Sequence, residues 1–220
     1  MASTPVSVIV LAGGTSRRFG SDKLAARLPD GVSVLDHCLV GMPDSWDLVV
    51  VGPSRVVPSS VVARVRFVRE EPAGGGPLAG IAAGLAAVTT EVVCVAAGDT
   101  PRAGEVLPEL VAALEAGSTV DAAVLSDAAG QPNPLLAAYK VEGLHNGILD
   151  RPENKPARTL LALPHVLVRS EVEVLDINTV EDVEQAGNLP AARSPSAVPA
   201  PQSPMAPPDA PSTSAHSSST

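Results

Sequence analysis

The sequence predicts a single Rossmann-like, three-layer α/β/α domain on a mostly parallel sheet, and three observations carry that prediction. Short apolar runs alternate with segments of helical period along most of the chain. The leading runs are apolar on consecutive residues rather than alternate ones, as strands covered on both faces must be. The polar segments that could form a site each directly follow such a run, which is where open parallel sheets bind ligands.

Taken in order, the first strand is Val6–Leu11, an apolar run that ends in a glycine-rich turn. A helix follows at Val34–Val40, then strands at Leu48–Val51 and Val65–Val68, rich in β-branched residues and too short for buried helices. Gly74-Gly75-Gly76 leads into a helix over Pro77–Val88, with Pro77 in the first helical turn and Gly80 and Gly84 easing its packing. The run Val92–Ala97 is the fourth strand. Asp99-Thr100-Pro101 after it reads as a helix start, with Thr100 as N-cap and Pro101 at N1, opening a helix that is periodic over Val106–Ala116. Strands at Ala122–Leu125 and Leu135–Tyr139 precede helical segments at Glu142–Leu149 and Ala157–Leu163. The last strand is placed at Val172–Leu175, followed by a helix over Val180–Ala186 that Thr179 and Asp182 begin as an approximate capping box. No internal repeat is found.

The chain has 220 residues, enough for one such domain, which is expected to span 1–188. From 189 to 220 the composition changes to Pro, Ser and Ala, with eight of the 22 prolines and only Arg193 and Asp209 charged. That segment cannot bury enough apolar surface to offset the entropy of ordering it, so it is expected to be a disordered tail. A net charge of −9 argues against a nucleic-acid partner, yet residues 17 to 23 carry three cations against one Asp, a local charge suited to a phosphate ligand. Cys38 and Cys94 form no C-x-x-C pair, and neither a signal peptide nor a membrane-spanning segment is expected. The expected compartment is the cytoplasm, with no membrane partner. His37, His145 and His165 have no spacing that suggests zinc or a triad, and no G-x-S-x-G surrounds Ser16.

Leu11-Ala12-Gly13-Gly14-Thr15-Ser16-Arg17-Arg18-Phe19-Gly20-Ser21-Asp22-Lys23 is the most informative stretch. A buried strand running into glycines, with Arg, Arg and Lys close behind, suits a polyphosphate: backbone N–H groups approach its oxygens and the cations neutralise charge during transfer. It contains no GK[ST] pair and does not fit G-x-G-x-x-G, which excludes the Walker A and dinucleotide loops. It resembles the signature L-A-G-G-x-S-x-R-M-G-x-D-K of the NTP-transferase superfamily, with Phe19 in place of Met. Three later segments extend the resemblance toward the MobA-like molybdenum cofactor guanylyltransferases. They are Gly76-Pro77-Leu78-Ala79-Gly80, Gly98-Asp99-Thr100-Pro101, and Asp176-Ile177-Asn178-Thr179-Val180-Glu181-Asp182, where Val180 replaces a Pro.

The resemblance implies a nucleotide-diphospho-sugar transferase type of fold and transfer of GMP from GTP to the phosphate of molybdenum–molybdopterin, releasing pyrophosphate. It implies Lys23, Arg18 and Asp99 as catalytic groups, with Asp99 binding Mg²⁺. The nucleotide would lie on Leu11, Ala12, Gly13, Gly14, Thr15 and Ser16, with Gly76–Gly80 against guanine. Gln131, Asp176, Asn178 and Arg158 would face the acceptor, although an Asn-Pro insertion after Gln131 departs from the family's Q-P-L-x-A-x-Y pattern. Whether Arg17 or Arg18 faces the nucleotide stays open. So do a cytidylyltransferase or another acceptor, and a non-catalytic protein delivering cofactor. Transient contacts with other cofactor-biosynthesis proteins or apo-enzymes would accompany either role.

Overall fold

The computed structural model describes residues 4–14, 19–71, 73–146 and 151–188. Residues 15–18, including Arg17 and Arg18 of the phosphate segment, and the expected tail from 189 onward lie outside the described residues. Seven strands form one sheet: β1 (Val6–Leu11), β2 (Asp47–Val51), β3 (Val65–Val68), β4 (Val92–Ala97), β5 (Ala122–Ser126), β6 (Pro132–Lys140) and β7 (His165–Arg169). Their order is β3-β2-β1-β4-β6-β5-β7, with β6 antiparallel to both neighbours and every other pairing parallel. The helices are α1 (Val34–Val40), α2 (Pro77–Leu85), α3 (Ala103–Ala116), α4 (Val141–His145) and α5 (Val180–Asn188).

Apolar residues on consecutive positions of β1 serve two cores. Val8 and Val10 face the layer of α1 and α3, packed with Leu35, Leu39, Leu107 and Leu110. Ile9 faces the opposite layer with Leu78, Ile81 and Leu85 of α2 and with Leu160. All of these are buried. Burying a Val, Leu or Ile side chain stabilises by about 1.5–3 kcal/mol, so Val8, Ile9 and Val10 anchor the strand from both faces. α1 begins at Ser33, whose hydroxyl accepts the Asp36 N–H at 3.1 Å. α3 crosses close behind α1: a Cβ built on Gly104 would overlap the Gly41 carbonyl group and stand 2.9 Å from the Met42 nitrogen.

The structure corrects the reading of the chain's last third. Val172–Leu175 is not a strand; the edge beside β5 is taken by His165–Arg169, paired in parallel from Ala122↔His165. The Pro164 carbonyl accepts the N–H groups of Asp121 and Ala122 at 2.7 and 3.1 Å, which sets that register before Val172 is reached. Val172, Val174 and Leu175 instead pack half-buried against the first core as extended, unpaired chain. The segment expected to be helical over Ala157–Leu163 is a 3₁₀ turn at Ala157–Ala162, and α4 ends at His145 rather than Leu149, with 147–150 outside the described residues. α2 ends at Leu85, earlier than the expected Val88. Thr100 is not an N-cap: α3 starts at Ala103 behind Arg102, and the Thr100 hydroxyl is engaged elsewhere.

Candidate active site

β1 and β4 are parallel neighbours in the register Leu11↔Ala97, so the segments leaving their carboxyl ends start side by side. Two hydrogen bonds continue the sheet past its last residues, Ala12 N–H to the Val51 carbonyl at 2.8 Å and Gly98 N–H to the Leu11 carbonyl at 2.9 Å. Gly13 and Gly14 emerge exposed from that edge. On the far side of residues 15–18 the chain returns as a 3₁₀ turn, Lys23–Ala25, closed by Asp22, whose Oδ1 accepts the Leu24 N–H at 3.2 Å.

That turn aims Lys23 across the edge of the sheet. Its Nζ forms an ion pair with Asp99 Oδ2 and donates to Asn178 Oδ1 at 3.3 Å. The two ion-paired side chains are only 18% and 16% exposed, so the pair feels a lower dielectric than a surface bridge does. Three residues separated by 76 and 155 positions in the chain thus converge on one point.

Asp176 and Asn178 reach this point although no strand delivers them. The segment carrying them is fastened to the residues after β4 three times. Ile177, fully buried, donates its N–H to the Asp99 carbonyl at 2.8 Å; the Thr100 hydroxyl donates to Asp176 Oδ1 at 2.6 Å; and Arg102 Nη1 donates to the Glu173 carbonyl at 3.2 Å. Arg102 is itself fixed by two bonds to the Glu105 carboxylate at 2.6 and 2.7 Å. Behind Asn178 a reciprocal capping box starts α5: Asp182 Oδ2 accepts from Asn178 and Thr179 N–H at 2.8 Å each, while Thr179 Oγ1 accepts the Asp182 N–H at 3.2 Å.

The glycine-rich loop before α2 lies on the other side of Gly13. Gly76 precedes the helix at φ +88°, a backbone that residues with a side chain seldom adopt, and the Asn154 N–H closes on the Gly75 carbonyl at 2.7 Å. Leu78 and Ala79 are buried in the core, and a Cβ on Gly80 would stand 3.0 Å from Leu11 Cδ2, so these residues seat the loop against β1. Gln131 sits exposed at the turn between β5 and β6, where its N–H bonds Asp127 Oδ1 at 2.8 Å; because β6 is antiparallel, this turn lies at the same carboxyl edge of the sheet. Arg158 is exposed on the 3₁₀ turn whose Leu160 packs under β6.

One residue with a place in this arrangement was missed by the sequence reading. Glu70, just past β3, accepts the Gly74 N–H on its Oε1 at 3.2 Å, and a Cβ built on Gly13 would lie 3.5 Å from the same oxygen. Its carboxylate therefore stands between the first glycine of the phosphate segment and the loop before α2. Position after a strand was the only signal available, and Glu71 shared it.

The electrostatics follow from these contacts. Burial raises the Asp176 carboxyl above the usual carboxylate range, although the residue keeps an exposed flank; the Thr100 hydrogen bond opposes this and the neighbouring Asp99 charge adds to it. A group whose proton is held more tightly in the fold contributes stability at pH below its unfolded value of 3.8, and loses it as pH rises through the folded value. Asp176→Asn, which keeps an oxygen for Thr100, is therefore expected to melt above the wild type at pH 7, with the difference shrinking toward pH 4. A lower melting temperature at pH 7 would contradict this. Asp182 is lowered by the N–H groups of Asn178 and Thr179, and Asp22 by Arg55. The Cys38 thiol is pushed up to about 12 by burial and Cys94 higher still, so neither supplies a thiolate nucleophile.

Hard oxygen donors are what this cluster has to give a metal: the carboxylates of Asp99 and Asp176 and the amide oxygen of Asn178. Among the described residues no group of three His, Cys, Asp or Glu side chains could hold a metal by itself. That set fits Mg²⁺, which takes one or two carboxylates and completes its shell with water and phosphate oxygens. A cationic ammonium, a cluster of oxygen donors and exposed glycines at a sheet edge are groups suited to a nucleoside triphosphate.

Comparison with known proteins agrees. Residues 8–172 match the model of the MobA-like NTP transferase domain. A protein of Chloroflexus aggregans named "Probable molybdenum cofactor guanylyltransferase" is 35% identical over 146 residues, 63% of this chain and 67% of its own. One of the same name from Bacillus anthracis is 29% identical over 199 residues, 81% of this chain and 94% of its own. Among solved structures, molybdopterin-guanine dinucleotide biosynthesis protein A from Archaeoglobus fulgidus is similar at TM-score 0.61 and 27% identity, over 83% of this chain and 97% of that one. A 2-C-methyl-D-erythritol 4-phosphate cytidylyltransferase from Thermus thermophilus shares the fold at TM-score 0.57 and 20% identity, over 84% and 98% of the two chains.

Proposed function

We propose guanylyl transfer as the activity of this chain, which belongs to the MobA-like NTP transferase family. The substrates are GTP and the phosphate of molybdenum–molybdopterin; the products are the guanine dinucleotide form of the cofactor and pyrophosphate. The observation that carries the reading is the convergence of Lys23, Asp99 and Asn178 at the carboxyl edge of β1 and β4. The names of the relatives supply the base and the acceptor.

The acceptor phosphate is already ionised at neutral pH, so no dedicated general base is needed. Rate comes from alignment and charge neutralisation. Backbone N–H groups of the glycine turn and the Lys23 ammonium hold the triphosphate, with Arg18 from the adjoining segment on the leaving pyrophosphate. Asp99, with Asp176 and Asn178 beside it, would hold Mg²⁺, which when bound polarises the α-phosphorus and screens charge between phosphates. Gln131 and Arg158, both exposed, are assigned to the acceptor side. The cytoplasm is the compartment proposed for the reaction. Among the described residues, no helix is long and apolar enough to cross a membrane. Proteins that insert or carry the finished cofactor are the partners this function calls for.

Glu70 gives the site a means of reading the base. Guanine presents an imino and an amino donor side by side, and a carboxylate is the acceptor that pairs with both. Wild-type protein should therefore prefer GTP to inosine triphosphate, which lacks the amino group, and Glu70→Ala should erase most of that preference while raising KM for GTP about tenfold or more. An unchanged preference in the variant would remove Glu70 from base recognition.

The function itself is tested by melting the protein with Mg²⁺ and GTP or CTP, and by mass spectrometry of the product made with molybdenum–molybdopterin. A larger shift with GTP and a guanine dinucleotide product are expected. Equal shifts with no dinucleotide would overturn the proposal.

A further inference from the structure

Arg55 has no part in the reading above, yet it is bound to the residue next to the triphosphate lysine. It lies on the loop that leaves β2, a loop fixed at its start by the Gly52 N–H on the Val68 carbonyl at 2.9 Å and further on by Val57 against the first core. From there Arg55 Nη1 donates to Asp22 Oδ2 at 2.5 Å, its side chain 23% exposed.

Asp22 uses both of its oxygens. Oδ2 takes Arg55, while Oδ1 caps the Lys23–Ala25 turn through the Leu24 N–H. A carboxylate with one oxygen on the turn and the other on a guanidinium has a single orientation, and Lys23 is the first residue of the turn it caps. The bond also balances charge. Asp22 is the one acidic residue in the phosphate segment, where an uncompensated carboxylate would repel the triphosphate that Lys23 attracts.

We infer that Arg55 is a positioning residue for nucleotidyl transfer: through Asp22 it holds the turn that aims Lys23 at the triphosphate. This rests on the reading of the site as one for GTP. Arg55 has further donors, and its Nε is buried with no acceptor among the described residues, so direct contact with the triphosphate is the alternative that the experiment must separate.

The experiment is a double-mutant cycle on the full chain with Arg55→Ala, Asp22→Ala and the pair, plus Arg55→Lys, following pyrophosphate release from GTP. Each single variant should lower kcat about ten- to a hundredfold, as a displaced catalytic group does. The pair should cost no more than one of them, and Arg55→Lys should recover a large part because it keeps a cationic donor. Wild-type kcat in Arg55→Ala would overturn the inference, as would costs that multiply, or a KM for GTP that rises in Arg55→Ala but not in Asp22→Ala. Release by the wild type decides the reading of the site separately. Should the wild type release nothing, the same cycle is read in the melting shift given by GTP with Mg²⁺: equal losses in both singles and the pair support the inference, and unequal losses overturn it. Melting without nucleotide shows whether each variant is folded.

Discussion

Asp99→Ala is expected to lower turnover of GTP by about 10²–10³ while leaving the melting temperature nearly unchanged, and Lys23→Ala to do the same. The magnitude is that for removing one preorganised group aimed at charge developing in the transition state. The separation of activity from stability follows from which atoms of Asp99 hold the fold. Its backbone carbonyl accepts the buried Ile177 N–H at 2.8 Å and so anchors the segment carrying Asp176 and Asn178; that bond survives truncation of the side chain. What truncation removes is the carboxylate facing Lys23, whose ammonium keeps the Asn178 Oδ1 as a partner, and the loss exposes no apolar core. Steady-state kinetics beside a thermal melt checks both halves. Near wild-type turnover in either variant would show that the chemistry lies elsewhere, and a large fall in melting temperature would show the pair to be structural.

The largest effect on stability should come from Gly104→Ala. In an exposed helix the exchange would favour folding by up to about 1 kcal/mol, since alanine is the better helix former. Here a methyl group would overlap the Gly41 carbonyl and stand 2.9 Å from the Met42 nitrogen. Both obstacles are backbone at the end of α1, where the Gly41 N–H is bonded to the His37 carbonyl and the Met42 N–H to that of Leu39. A flexible side chain could turn aside; this backbone has to shift, and α1 and α3 with it. Overpacking of this kind costs about 3 kcal/mol, which for a domain of this size lowers Tm by roughly 6–12 °C. A thermal melt that stays level or rises would mean that the contact between the two helices yields easily.

The sheet's centre was legible because its chemistry is local. β1 and β4 are buried on both faces, so Val6–Leu11 and Val92–Ala97 read as strands without help from the rest of the chain. The positions of Gly13, Lys23 and Asp99 followed, since each motif is contiguous and lies close behind one of those strands. The last third was harder. Val172–Leu175 and His165–Arg169 are equally β-like, and only the register fixed by Pro164 beside β5 gives the edge to the second. Thr100 has the makings of an N-cap, but its hydroxyl is taken by Asp176, 76 residues away. Glu70 and Arg55 escaped for the same reason: their roles depend on Gly13 and Asp22, brought to them by the order of β1, β2 and β3 and not by spacing in the chain. Interactions within a motif are written in the sequence, whereas those between motifs appear only with the topology.

The most direct test of guanylyl transfer at this site is the rate of pyrophosphate release from GTP with Mg²⁺, measured with molybdenum–molybdopterin present and then omitted, and repeated with CTP. Release from GTP that stops without the acceptor and is far slower with CTP is the predicted result. Release that ignores the acceptor, or that favours CTP, would contradict the assignment of base and acceptor to this site.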